Sequence, residues 1–407
     1  METSYNSKQI ELHNQNHIIS CLNTGSVSRA EIAKRTGLSR TTVSSAVSHL
    51  IELQLLKECS SEDPSGRGRP GIPLSLTEDL WYAAGATLID REVIFAVLNL
   101  RGDIVSHFSL PLINGSSQAF LSTLSDGFSA ILRTYGSRLL PMLGIGSPGM
   151  INDGRILYAS DMGWTQVDIA GYLQTQIGLP SEVINRHWAS SLSEFRSNHV
   201  SNMIYVGIST GIAAAIIVNG KLFTGAYHSA GEIGHTVVRP NGPKCICGRR
   251  GCLHAIASEV SILEHVRAYY RSNPHPLVSS DFLWESLHAG RSITIDDVCQ
   301  AAKANHPLAL NELKEAALYL GLSISNLTGM FNPECVVLGG SFIEHGGTDF
   351  TNWIIDSVRM HSGADTLRSV RIYPWTQGRI SGAVGAALQV LDRKIELAGR
   401  VHRAEKA

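Results

Sequence analysis

Three of the seven cysteines fall within eight positions of one stretch, GEIGHTVVRPNGPKCICGRRGC (231–252). They are Cys245, Cys247 and Cys252, and His235 stands ten residues ahead of the first. Three thiolates and an imidazole make a tetrahedral Cys3His set, a common structural zinc site that leaves no position for water. Cys245 and Cys247 are too close for the usual two-cysteine knuckle, but four ligands need only converge in space. Gly248 and Gly251 let the backbone turn tightly enough for Cys252 to return to the metal. The alternatives are a disulfide or reduced cysteines in a core. No apolar run reaches the roughly 18 residues of a membrane span. The polar start METSYNSKQIELHNQNH has no signal-peptide core. A cytoplasmic protein is therefore expected, where disulfides are rare. The polar GRRG at 248–251 does not suit a core. The scattered Cys21, Cys59, Cys299 and Cys335 read as small apolar residues or surface thiols.

A second chemistry is suggested near the N-terminus. From Arg29 to Leu50, four basic residues (Arg29, Lys34, Arg35, Arg40) face one acid, Glu31, although the whole chain is nearly neutral at −1. GSVSRAEIAKRTGLSRTTVSSAVSHLIELQLLKE reads as two helices joined by a tight turn. Ser28 caps the first, with Glu31 as its capping-box partner; Gly37 ends it. Ser39 caps the second. Val43, Ala46, Val47, Leu50 and Ile51 form its apolar stripe. The opposite face carries Arg40, Thr41, Ser44, Ser45 and Ser48, short hydroxyls and one guanidinium. Either this is a solvated face of a small bundle, or it is the base-reading helix of a helix-turn-helix. The helix–turn–helix order favours the second. LLKECS and GIPLSL then read as short strands flanking SEDPSGRGRP. Arg67 and Arg69 around a glycine suit a wing entering a narrow minor groove; a basic linker is the alternative.

At 407 residues two or three domains are expected, and 43% hydrophobic with 17% charged residues describe a soluble globular protein. From about Trp81, strands, glycine turns and helices alternate, which predicts an α/β fold. RGD at 101–103 and NDG at 152–154 read as turns, so Asp153 is expected to be a turn residue and not a catalytic one. NMIYVGISTGIAAAIIVNGKLF reads as two strands, PECVVLGGSF as a buried strand, and ISGAVGAALQVL as a small-residue helix. There is no short tandem repeat.

YVGISTGIAAAIIVNGKLFTGAYHSAGEIGH and CICGRRGCLHAIAS resemble the ROK family of repressors and sugar kinases. The second carries the family's C-x-C-G-x-x-G-C signature. The resemblance covers nearly the whole chain. It implies a winged helix-turn-helix at 1–78 and a two-lobed, actin-like (RNase H-like) α/β sensor domain at 79–407. Lobe one would comprise about 79–195 plus a helix at about 380–400, and lobe two, about 196–379, would hold the metal. The resemblance assigns structural zinc to His235, Cys245, Cys247 and Cys252. It places Asn185, Glu232 and His235 on sugar hydroxyls.

The chain departs from the family's kinases where catalysis would occur. The kinase base is an Asp following an Asn; here the pair is Asn185-Arg186, and a guanidinium accepts no proton. LIDREVIF puts Arg91, Glu92 and Val93 where glycines would admit phosphates, and STGIAAAII keeps Gly211 but has Ala213 and Ala215. A family sugar ligand two residues past the last cysteine, a Glu, is His254 here. Arg186 and His254 together suggest an altered ligand. Arg186 either pairs with a phosphate or carboxylate on it or makes a structural salt bridge. The expectation is a repressor of carbohydrate genes without catalytic residues. It would bind a double-stranded DNA operator as a homodimer or homotetramer. A small carbohydrate or sugar phosphate, or a sugar-transport protein, would control it. The rival is an active sugar kinase bearing a DNA-binding domain.

Overall fold

Ser28 accepts the Glu31 amide on its hydroxyl at 3.3 Å and so starts the helix Arg29–Thr36. Glu31 does not return the bond expected of a capping box; its carboxylate takes Arg35 Nε at 3.0 Å, because that guanidinium lies one turn along the same face. Gly37 ends the helix at φ 71, its N–H bonded to the Ala33 carbonyl. Ser39 caps Arg40–Glu52 through the Thr42 amide at 3.1 Å. A third helix, Ser7–Leu22, precedes them and buries Ile18, Ile19 and Leu22 against Ile32, Val43, Val47 and Leu50. A small antiparallel sheet closes the unit, with Pro73–Leu76 between Val27–Ser28 and Leu56–Glu58. This computed structural model describes residues 7–23, 25–59, 72–159, 162–363 and 370–406.

The rest of the chain is built on two five-stranded sheets of the same design. In the first, the antiparallel meander Tyr82–Ile89, Glu92–Asn99 and Ile104–Pro111 is extended on its Tyr82–Ile89 side by the parallel strands Leu139–Ser147 and Ser181–Asn185. In the second, the meander Met203–Ile208, Ile212–Val218 and Lys221–Phe223 is extended on its Met203–Ile208 side by the parallel strands Cys335–Gly339 and Arg371–Pro374. The chain thus repeats one topology without a residue repeat. Lys221–Phe223 is a strand additional to the two expected here, reached through Asn219 and Gly220, both at positive φ. The other turn expectations hold: Gly102 takes φ 83, and Asp153-Gly154 at φ 46 and 75 joins Met150–Asn152 to Arg155–Ala159.

Ser381–Leu391 lies directly on the first sheet. A Cβ on Gly85 would come within 2.2 Å of the Ala383 carbonyl oxygen, and one on Gly144 within 2.0 Å of that of Ala386. On the helix's other side, a Cβ on Gly385 would meet the Ala189 oxygen of helix Arg186–Asn198 at 1.6 Å. Only glycine admits these approaches, so strand, helix and helix form one rigid stack. Its small-residue composition is the reason for the Gly/Ala run in the sequence. Among the described residues, no helix is long and apolar enough to cross a membrane.

Candidate functional site

The four predicted metal ligands converge. Their ligand atoms all lie within 4.8 Å of one another. Cys245 Sγ is 3.6 Å from His235 Nδ1, and Cys247 Sγ is 3.6 Å from Cys252 Sγ. A tetrahedral ion with Zn–S bonds of about 2.3 Å separates its sulfurs by about 3.8 Å, so the spacing fits a zinc ion. All three thiols are free. The local backbone explains the convergence: Cys245 N–H donates to the Arg249 carbonyl at 2.8 Å, and Gly248 N–H to the Cys245 carbonyl at 2.9 Å, with Gly248 at φ 88. Val237 and Cys252 then pair antiparallel, returning the third thiol beside His235. Burial pushes the Cys252 thiol up to about 12. Burial opposes ionisation of Cys247 too, but hydrogen bonds from Arg249 outweigh it and hold that thiol at about 7. A bound cation deprotonates such thiols outright. Arg239, whose carbonyl abuts Gly251, pairs with Glu315 and lies over the Tyr319 ring at 5.5 Å, fastening the loop to helix Pro307–Phe331.

Asn185, Arg186, Glu232, His235 and His254, the five predicted ligand residues, line one cavity of 60 Å³. His235 belongs to both sites: its Nδ1 faces Cys245 while its ring forms cavity wall, 5.7 Å from the His254 ring. Burial, then the charge of Arg249, lowers its pKa. Asn185 is already engaged, its Oδ1 accepting the His187 amide at 2.8 Å and its Nδ2 donating to the Gly149 carbonyl at 3.0 Å. Each atom retains one further hydrogen-bonding position for a ligand hydroxyl. A larger cavity of 380 Å³ shares Gly149, Asn185, Ala213 and Glu232 with the first and extends to Asp153, Glu182 and His228. That volume falls in the range typical of small-molecule sites. Asp153 is the expected turn residue, and its turn also forms part of this wall.

Behind Arg186 the space closes. A cavity of only 30 Å³ remains among Thr87, Asp90, Arg186, Tyr205, Gly340 and Arg379. Arg186 Nη2 sits 3.5 Å from Ser209 Oγ and 3.4 Å from Thr210 Oγ1. Arg379 draws in Asp90 at 2.8 Å, Glu92 at 3.4 Å and Glu344 at 3.4 Å. Glu259, absent from the sequence-based candidates, is buried here and accepts from Ser341 Oγ at 2.6 Å. Asp90 thus lines this space together with the Arg186 and Arg379 guanidiniums, and Glu92 and Glu344 reach it through Arg379.

Burial raises the Glu259 carboxyl to about 7. A carboxyl held above its unfolded value favours the protonated fold, so stability is lost as pH rises from 4.5 to about 7. Glu259→Gln removes that loss. The expected result is a melting-temperature gain near pH 8 that vanishes near pH 4.5, with about 3 kcal/mol as its upper limit. Equal gains at both pH values would show that Glu259 is not the titrating group.

On the N-terminal unit, Arg40, Thr41, Ser44, Ser45 and Ser48 are all exposed, and Val43, Ala46, Val47 and Leu50 are buried. Two of the four basic residues are paired, Arg29 with Glu58 at 2.9 Å and Arg35 with Glu31 at 3.0 Å. Lys34 and Arg40 carry no ion pair among the described residues. Arg67 and Arg69 lie outside the described residues.

Comparison with known proteins gives three findings of weight. The model described as "ROK family" matches residues 91–393. The xylose repressor of Bacillus subtilis (strain 168) is 27% identical over 387 residues, 92% of this chain and 94% of its own length. Two solved structures share the fold. A ROK family transcriptional regulator, a homologue of the E. coli MLC protein, superposes with a TM-score of 0.79 over 97% of this chain and 99% of its own at 23% identity. A ROK family glucokinase from Streptomyces griseus, in complex with glucose and AMPPNP, superposes with 0.62 over 76% and 98% at 23% identity.

Proposed function

The chain belongs to the ROK family, and on that premise we propose that it is a carbohydrate-responsive transcriptional repressor whose kinase-like domain has lost catalysis. One observation carries the reading. A helix with an exposed face of Arg40, Thr41, Ser44, Ser45 and Ser48 shares a continuous core with a fold in which five ligand candidates line one cavity. The xylose repressor likeness over 92% of the chain supports it.

In this reading residues 1–78 are a winged helix-turn-helix and 79–407 the sensor. The proposed boundary between the two lobes near 195 falls within helix Arg186–Asn198. Zinc at His235, Cys245, Cys247 and Cys252 is structural, since four protein ligands leave no open position. It fixes His235 in the cavity wall, while Asn185, Arg186, Glu232 and His254 complete a site for a sugar or sugar phosphate. The protein acts in the cytoplasm as a homodimer or homotetramer, so that two recognition helices meet an inverted repeat about one or two helical turns apart.

The test is selection of DNA from a random pool by the full-length protein, followed by titration of the selected sequence at fixed salt. Arg40→Ala is expected to cost about 1–3 kcal/mol and relax preference at one position of each half-site. Arg69→Ala is expected to erode preference for A·T-rich DNA away from the recognition helix. Failure of the wild-type protein to enrich any sequence would remove the repressor reading.

A further inference from the structure

We infer that the helices Ser381–Leu391 and Lys394–Lys406 form a lever between the cleft and the recognition helix, with Arg379 at one end and a Glu52–His402–Lys406 cluster at the other; this rests on the DNA-binding reading above.

Arg379 lies in the single turn Gly378–Ile380, directly ahead of the first helix. Its partners come from both sheets. Asp90 lies in the first turn of the first sheet and Glu92 opens its strand Glu92–Asn99, while Glu344 belongs to the helix Ser341–His361 that follows strand Cys335–Gly339 of the second. A change in the spacing of the two sheets must therefore stretch or release this guanidinium. A second input reaches the same helix through helix Arg186–Asn198, whose head carries Asn185 and Arg186. The Gly385–Ala189 approach leaves no slack between these helices. At the joint with the next helix, Arg393 binds Glu182 at 3.2 Å, and Glu182 lines the larger cavity. Three contacts with the ligand region thus converge on Ser381–Leu391 and its two ends.

The far end touches the DNA-reading unit. Glu52 is the last residue of Arg40–Glu52, and its Oε1 lies 2.7 Å from Lys406 Nζ and 3.0 Å from His402 Nε2. Beneath these ion pairs, Ile395, Leu397 and Ala398 belong to the same apolar core as Leu50, Leu53 and Leu55. Exposed ion pairs contribute little stability, so Glu52 suits an adjustable contact better than a brace. Movement of the last helix is felt where the recognition helix ends, and the orientation of that helix decides which residues reach base edges.

The experiment uses the full-length chain with Arg379→Gln, Glu52→Gln and the double variant. Hydrogen exchange is read at the amides of Leu53 and Leu55, which are bonded to the His49 and Leu50 carbonyls. Arg379→Gln is expected to change exchange there by about 2- to 30-fold, and the Glu52→Gln background to shrink that change. Affinity for the DNA selected by the wild-type protein is expected to shift in parallel. If Arg379→Gln alters exchange only near 89–92 and 344, or if its effect at Leu53 survives undiminished in the double variant, the lever is wrong. Should Arg379→Gln fail to fold, Glu344→Gln removes the partner on the second sheet alone and is expected to act in the same direction. A wild-type protein that selects no DNA would overturn the repressor reading, while the exchange result still decides the lever.

Discussion

Purified full-length protein carries one zinc per chain, and Cys252→Ser loses it: that is the expected result with the largest energetic effect. Cys252 is fully buried, and its sulfur lies 3.6 Å from that of Cys247, so no solvent-held substitute can reach the same point. Structural zinc contributes on the order of 10 kcal/mol or more to its site, against about 5–15 kcal/mol for the net stability of a whole domain. Loss of the ion should therefore unfold the 235–252 loop at least. It should also release His235 from the cavity wall, so that ligand response is lost with the metal. Metal analysis of wild type and variant checks the first point, and thermal shift of both against a panel of sugars and sugar phosphates checks the second. A wild-type protein without zinc, or a variant that keeps it, would refute the assignment.

The second expected result is the absence of turnover. No common hexose or hexosamine should be phosphorylated with ATP, and Arg186→Asp should not restore activity. General base catalysis is worth roughly 10²–10⁴-fold, and a carboxylate at 186 would supply only that. The remaining obstacles are geometric and electrostatic. The space behind Arg186 is 30 Å³, and Arg379 is committed to Asp90, Glu92 and Glu344. Phosphoryl transfer depends on positioning and on positive charge at the phosphates, and here the Arg379 charge is already taken up by three carboxylates in a space too small for a triphosphate. A coupled assay reads the outcome; turnover typical of sugar kinases in either protein would defeat the claim.

How much of this was legible in the sequence depended on distance along the chain. The metal loop was plain because its ligands span 235–252 and glycines mark its turns. Helix Arg40–Glu52 was plain because its caps and stripe are local. Asn185, Glu232 and His254, which line one cavity, are singled out in the sequence only by the family resemblance, since no spacing joins all three. Glu259 and the Arg379 cluster were not found at all. The Arg379–Asp90 pair joins residues 289 apart, and only the packing of a helix on a sheet brings them together. Helix Ser7–Leu22 was overlooked because Ile10 and Leu12 point outward and blur its apolar stripe. The repeated sheet topology was invisible because it is a likeness of connection order and not of residues.

The continuous core described above has a further consequence, for how such a regulator changes its target. Trp81 Nε1 donates to the Leu53 carbonyl at 3.2 Å, Arg101 Nη1 reaches the Asn23 carbonyl at 3.2 Å, and Leu397 is buried in one cluster with Leu22 and Leu50. The N-terminal helical unit, proposed above to read DNA, is therefore not a detachable cassette. Grafting it onto another sensor would bare this apolar surface on both pieces and leave the Trp81 and Arg101 donors without their acceptors. New operator preference is reached more cheaply by point changes on the exposed face from Arg40 to Ser48, which no other part of the described chain covers. Evolution of specificity in this architecture should accordingly proceed by recolouring one helix surface, with the joint behind it held constant.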